Sequence, residues 1–221
     1  GFGCYMCQPN KYGFTPAWIA AKHGHEDCLR ALHGFGCDMG QPNHSEETPA
    51  FVAAENGHDG CLHVLHKFGC DMGQSALPDG NAPACVAAQN GHEDCLRPRH
   101  GFGCDMGQPN RRHGQTPAYL AIWYGHEGCL RLLHEFGCDM RQPAKNGDTP
   151  ALLAVRKNLE GCLHFLLHHG VPTLAEGGTL LETARKKEYA GCVAMLEQYV
   201  AGKALKMTKS ANKRHAQPPP Q

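Results

Sequence analysis

Thirteen cysteines and sixteen histidines are the groups in this chain with chemistry to offer, and most of them recur at fixed positions. Cys28, Cys61, Cys95, Cys129, Cys162 and Cys192 occupy one such position, and Cys37, Cys70, Cys104 and Cys138 a second one nine residues later. His25, His58, His92 and His126 stand just before the first set, and His33, His66, His100 and His134 just before the second. Disulfides, structural zinc and thiolate nucleophiles are the chemistries to weigh. A disulfide needs Cα atoms within about 7 Å. Nine residues of helix separate two cysteines by about 13 Å, and packed helices hold equivalent residues roughly 8–10 Å apart. The spacing therefore favours small buried thiols acting as apolar filler, with a reducing compartment as the corollary. A pair such as His134 and Cys138 offers two ligands one helical turn apart, but structural zinc takes about four. Cys7 falls outside the repeated positions and is the candidate for a redox-active thiol, a role that requires exposure and a lowered pKa. No GxSxG, phosphate-binding glycine loop or HExxH occurs, so no catalytic, cofactor or metal site is predicted.

The elements that position these groups repeat. TPAYLAIWYGHEGCLRLLHEFGCDM from Thr116 recurs as TPAWIAAKHGHEDCLRALHGFGCDM from Thr15 and TPAFVAAENGHDGCLHVLHKFGCDM from Thr48. Further copies are APACVAAQNGHEDCLRPRHGFGCDM from Ala82 and TPALLAVRKNLEGCLHFLLHHG from Thr149. The starts are 33, 34, 34 and 33 residues apart, a period that belongs to stacked arrays. Each unit predicts a short first helix, with Thr as N-cap, Pro in its first turn and an Ala-rich body that lets neighbours approach closely. Gly-His ends it. A second helix follows, at about Glu26–Gly34 in the first unit, with an apolar stripe on one side and a Gly turn at its end.

TPxxxAA, then GH, then an apolar helix ending in G-C-D resembles the ankyrin repeat in matching register, over about nine tenths of the chain. The resemblance implies an all-α solenoid of helix-turn-helix units with β-hairpin or turn fingers at segments such as QPNKYGF and RQPAKNGD. It also implies protein–protein recognition rather than catalysis. Two departures are systematic. The Leu of the family's TPLH is Ala17, Ala50, Ala84, Ala118 and Ala151 here, and its His is Trp18, Phe51, Cys85, Tyr119 and Leu152. The hydrogen-bond line that this His makes between family repeats should therefore give way to packing.

The units run 11–43, 44–76, 77–110, 111–143 and 144–173, followed by a degenerate cap at 174–200 and a basic, proline-ended tail at 201–221 that should be disordered. Residues 1–10 duplicate 101–110 in pattern, so the expectation is the end of a preceding repeat in a longer array. The third unit reads Pro98–Arg99 where its neighbours have Leu132–Leu133 or Val64–Leu65. Proline inside a helix costs about 3 kcal/mol, which makes this unit the soft joint, and Ala82 leaves it without a capping Thr.

Lys plus Arg equals Asp plus Glu at 21 each, so no net field draws the whole molecule to nucleic acid or a membrane. No stretch approaches the roughly 20 apolar residues of a span. With no signal peptide visible, the expected setting is intracellular, most simply the cytoplasm, and the expected state a monomer. No cofactor is implied.

What varies between units is the pair just before the GH step: Lys22–His23, Glu55–Asn56, Gln89–Asn90, Trp123–Tyr124, Arg156–Lys157 and Lys186–Lys187. The resemblance places this pair on the concave face beside the finger tips. Trp123 and Tyr124 suit an interface anchor; Arg156, Lys157, Lys186 and Lys187, with Arg112 on the preceding finger, would form a basic flank. Lys22 and His23 lie at the same position of the first unit. The reading is a scaffold or adaptor segment that binds a protein with an apolar anchor and acidic neighbours. Its alternatives are a substrate-recruiting segment of a larger enzyme, ordinary burial of Trp123 against its neighbours, a thiol or metal sensor, or a decaying copy.

Overall fold

The computed structural model describes residues 5–76, 78–97, 105–171 and 174–215. After a 3-10 turn at Tyr5–Cys7, the described residues form twelve helices. The first-helix series is α1 (Pro16–Lys22), α3 (Pro49–Glu55), α5 (Pro83–Asn90) and α7 (Pro117–Tyr124). The second-helix series is α2 (Glu26–Gly34), α4 (Asp59–Lys67), α6 (Glu93–Leu96) and α8 (Glu127–Glu135). Then follow α9 (Pro150–Arg156), α10 (Glu160–His168), α11 (Leu174–Lys186) and α12 (Ala190–His215). The chain divides into two compact units, residues 1–150 and 151–221. In the first, α1, α3, α5 and α7 pack in sequence, as do α2, α4, α6 and α8. In the second, α12 packs on α10 and α11. The architecture is the all-α stacked solenoid.

Local chemistry explains each boundary. Thr15, Thr48 and Thr116 are N-caps whose hydroxyls accept from the backbone N–H of Trp18, Phe51 and Tyr119. Pro follows each cap, where its missing N–H costs nothing. Ala82 has the same extended backbone, φ −79° and ψ 163°, but no side-chain bond. Ala82→Thr should therefore stabilise the protein by about 1 kcal/mol, measured as a shift in the urea midpoint; an unchanged midpoint would mean that the cap is satisfied in another way.

The second helices end in a Schellman turn. Gly36, Gly69 and Gly137 lie at φ +76° to +77°. The next residue's N–H then returns to the helix: Cys37 to Leu32 O, Cys70 to Leu65 O and Cys138 to Leu133 O. The turn cysteine is thus the residue that closes the cap, and the recurrent Met two places later is core: Met39, Met72 and Met140 are 3–5% exposed.

The GH step has a structural role between units. Gly24, Gly57 and Gly91 have φ between +74° and +79°. A Cβ on any of them would lie 2.7–2.8 Å from Nδ1 of the next unit's His58, His92 or His126. His58 Nε2 sits 3.1 Å from the Lys22 carbonyl and His92 Nε2 3.0 Å from the Glu55 carbonyl. A carbonyl only accepts, so Nε2 carries the proton in both. The hydrogen-bond line expected to yield to packing is replaced by one from His58 and His92, each of which ties its repeat to the preceding one.

Three expectations are corrected, and a fourth is narrowed. The fingers, expected as β-hairpins or turns, are turns: one isolated bridge, Ala76 to Asn81, is the whole of the β structure among the described residues. Asn10, Asn43 and Asn110 organise three of these fingers instead, each side-chain oxygen accepting two backbone N–H groups. The tail expected to be disordered from 201 continues α12 as far as His215, because Ala201, Ala204, Leu205 and Lys206 are strong helix formers. Cys28 is exposed, whereas Cys61, Cys95, Cys129, Cys162 and Cys192 at the equivalent position are buried; no second helix packs against its side of α2 among the described residues. Finally, Cys7 and Cys37 form a disulfide, with Cα atoms 5.2 Å apart. Helix spacing separates cysteines at equivalent positions but leaves a pairing out of register open, and with this bond the expectation of a reducing compartment loses its support. Pro98 and Arg99 lie outside the described residues, but α6 stops at Leu96 and Arg97 is extended at φ −69° and ψ 118°, as a residue before proline should be.

Candidate recognition face

All nine side chains singled out for recognition are solvent-exposed: Lys22, His23, Arg112, Trp123, Tyr124, Arg156, Lys157, Lys186 and Lys187. The first helix of each unit places the variable pair at its C-terminal end, with the preceding Ala-rich turns buried. On α7, Tyr119 through Ile122 are buried, and Trp123 and Tyr124 emerge at 39% and 52% exposure. Full burial of Trp123 is thereby excluded; by contrast, Trp18 is 5% exposed. Trp123 stacks near-parallel on Tyr119, ring centroids 6.2 Å apart at 19°, so one edge is anchored in the core while the rest faces solvent.

Trp123 and Tyr124 wall a cavity of about 260 Å³ with Leu120, Gln89, Asn81, Asn110, His113, Gln115 and Asp79. Its apolar side is the α7 ridge. Its polar side is a set of finger amides, held in place by bonds from Asn110 Nδ2 to Asn81 Oδ1 at 3.0 Å and to Gln115 Oε1 at 3.3 Å. Amides both donate and accept, so such a wall suits peptide groups. The aromatic pair is legible in the sequence and the amides are not, because Asn and Gln in turn segments look like ordinary loop chemistry.

The basic flank is not a set of unaccompanied cations. Arg112 is ion-paired with Asp79, Nη1 to Oδ1 2.8 Å, and its backbone N–H donates to the Asp79 carbonyl. Lys22 lies over the Trp18 ring at 5.2 Å and acts on Glu55, whose carboxyl is raised above its ordinary value by burial first and by Glu47 second, with Lys22 lowering it. Exposed pairs of this kind contribute about 0–1 kcal/mol, and their charge is spent locally. Arg156, Lys157, Lys186 and Lys187 belong to the second unit, on α9 and α11 and the residue after each helix.

Among the described residues, no three His, Cys, Asp or Glu side chains are placed to hold a metal ion, and no helix is long and apolar enough to cross a membrane. Burial pushes the thiols of Cys85, Cys95 and Cys129 up to about 12, the opposite of nucleophile activation.

These features define a helix-turn-helix repeat array with an exposed aromatic ridge on α7. The family profile described as ankyrin repeats (3 copies) matches residues 17–98 and 84–176. The chain belongs to the ankyrin-repeat family, whose members are in general protein–protein interaction modules. Its fold is similar to that of the human ASB11 ankyrin repeat domain, with a TM-score of 0.72 and 20% identity over 84% of each chain. A search of curated protein sequences returns no match.

Proposed function

We propose that the chain is a non-catalytic recognition segment whose first unit binds another protein at Trp123 and Tyr124. The observation that carries this reading is an exposed aromatic pair bordering an amide-lined cavity. Trp and Tyr bring large contact area at low entropic cost and dominate interface hot spots. The cavity takes an apolar side chain of the partner against Leu120 and the aromatic rings, while the finger amides take its peptide groups. The exposed cations of the second unit, Arg156, Lys157, Lys186 and Lys187, are a complement for acidic groups on a partner.

The test is to isolate proteins retained by the wild-type chain from a lysate of the source cell, then to titrate the purified partner by calorimetry. Trp123→Ala/Tyr124→Ala should weaken that affinity by about a hundredfold, from two anchors of about 2 kcal/mol each that do not add fully. Circular dichroism must show equal helicity. Equal affinity of the two proteins would place recognition elsewhere.

A further inference from the structure

We propose that Cys7 and Cys37 are a reversible thiol–disulfide staple that locks the Tyr5–Asn10 segment onto the first repeat. Their Cα atoms are 5.2 Å apart, inside the bonding range. The same register recurs along the array. Cys7 occupies the place that Gly40, Gly73, Gly107 and Arg141 take in the later copies of the turn, and Cys37 is the turn cysteine of the following copy. At the joint between the third and fourth repeats, a Cβ built on Gly107 would lie 4.0 Å from Cys138 Cβ, the spacing of a disulfide's Cβ atoms. That joint too is shaped for the bond, but only the first carries a cysteine at both places.

A second substitution in that turn acts in the same direction. In later copies an aspartate closes the turn: the N–H of Gly40, Gly73, Gly107 or Arg141 donates to Asp38, Asp71, Asp105 or Asp139 at 2.8 Å. That carboxylate also faces the next turn cysteine. Burial first, and then Asp38 or Asp105, raises Cys70 and Cys138 to about 11. The corresponding residue before Cys37 is Tyr5, so no carboxylate of that turn opposes a Cys37 thiolate. Exchange begins at Cys7, which is half-buried, rather than at Cys37, which is 8% exposed.

The step balances as thiol–disulfide exchange. The Cys7 thiolate attacks one sulfur of a small-molecule disulfide such as glutathione disulfide, and the first glutathione leaves as thiolate. Cys37 then attacks the mixed disulfide at Cys7, the Cys7–Cys37 bond forms and the second glutathione leaves. Two protein thiols are oxidised, one disulfide is reduced to two thiols, and the two protons pass to these. Excess reduced glutathione runs the sequence backwards. The bond closes a loop holding the Asn10 finger, α1 and α2; without it, contacts of the 3-10 turn with α1 hold the segment.

The test uses the full chain equilibrated in glutathione buffers from reducing to oxidising, quenched by alkylation and mapped by tandem mass spectrometry, which separates Cys7 from Cys4 in the same tryptic peptide. The expected product under oxidising conditions is the Cys7–Cys37 peptide pair, lost on reduction. Hydrogen exchange of Tyr12–Lys22 should accelerate at least tenfold on reduction, and Cys7→Ser should show the fast rate under both conditions. Gly107→Cys should create a second bond, to Cys138, under the same oxidising buffer. Three results would each overturn the proposal: glutathione adducts in place of the Cys7–Cys37 bond, unchanged exchange on reduction, or a Gly107→Cys variant whose new thiol stays unpaired beside a reduced Cys138.

Discussion

Pro98→Leu/Arg99→Leu should raise the melting temperature of the protein by about 6–12 °C. Pro98 and Arg99 stand where the other second helices carry Ala31–Leu32, Val64–Leu65, Leu132–Leu133 and Phe165–Leu166. In those helices the second residue of the pair is at most 9% exposed. The nine-residue length of α2, α4, α8 and α10 falls to four in α6, which ends two residues before the proline. Removing a proline from a helix interior gains about 3 kcal/mol, and burying leucine instead of arginine adds about 1.5–3 kcal/mol, offset in part by the entropy of ordering the new turns. A net gain of about 3 kcal/mol corresponds to that rise at about 2–4 °C per kcal/mol for a chain of this size. Far-UV circular dichroism should gain about one turn of helix signal. An unchanged melting temperature would mean that this stretch is accommodated without cost, and the soft joint would have to be abandoned.

The reciprocal change is Leu133→Ala, at the position that Arg99 holds one repeat earlier. Leu133 is fully buried, and its helix α8 packs against α6 on one side and under α7, which carries Trp123 and Tyr124. Truncation should cost about 2–5 kcal/mol, the upper part of that range being expected because the short α6 offers little chain to collapse into the cavity. Chemical denaturation should show the midpoint falling accordingly. A loss under about 1 kcal/mol, below the range for a buried Leu→Ala change, would show that the fourth unit does not depend on its inner stripe. In the double-repaired background, with leucine at 98 and 99, the same truncation should cost less if a full-length α6 relaxes into the space, and a double-mutant comparison measures that coupling.

Much of this molecule was legible in its residues. A period of 33 or 34, Thr-Pro at each first helix and Gly after each second helix specify local geometry, because caps, proline and left-handed glycine act within a few residues of themselves. The variable pair ahead of each GH step was legible for a related reason: positions that packing does not dictate stand out against those it repeats. Trp123 and Tyr124 stand out in that way, and both are solvent-exposed. Other features were present in the letters but mute. Asn10, Asn43 and Asn110 look like ordinary loop residues but hold the fingers, and Met39, Met72 and Met140, which carry no signal of their own in the sequence, are core.

The sequence by itself determined the repeat, its helices, their caps and the break before Pro98, since each follows from interactions between residues close in the chain. Only the tertiary structure decided how one repeat meets the next. There His58 and His92 tie to carbonyls 36 and 37 residues away, Asp79 takes up the charge of Arg112, and Cys7 reaches Cys37. Those contacts depend on the offset between stacked units, a distance of a few ångströms that no spacing along the chain encodes.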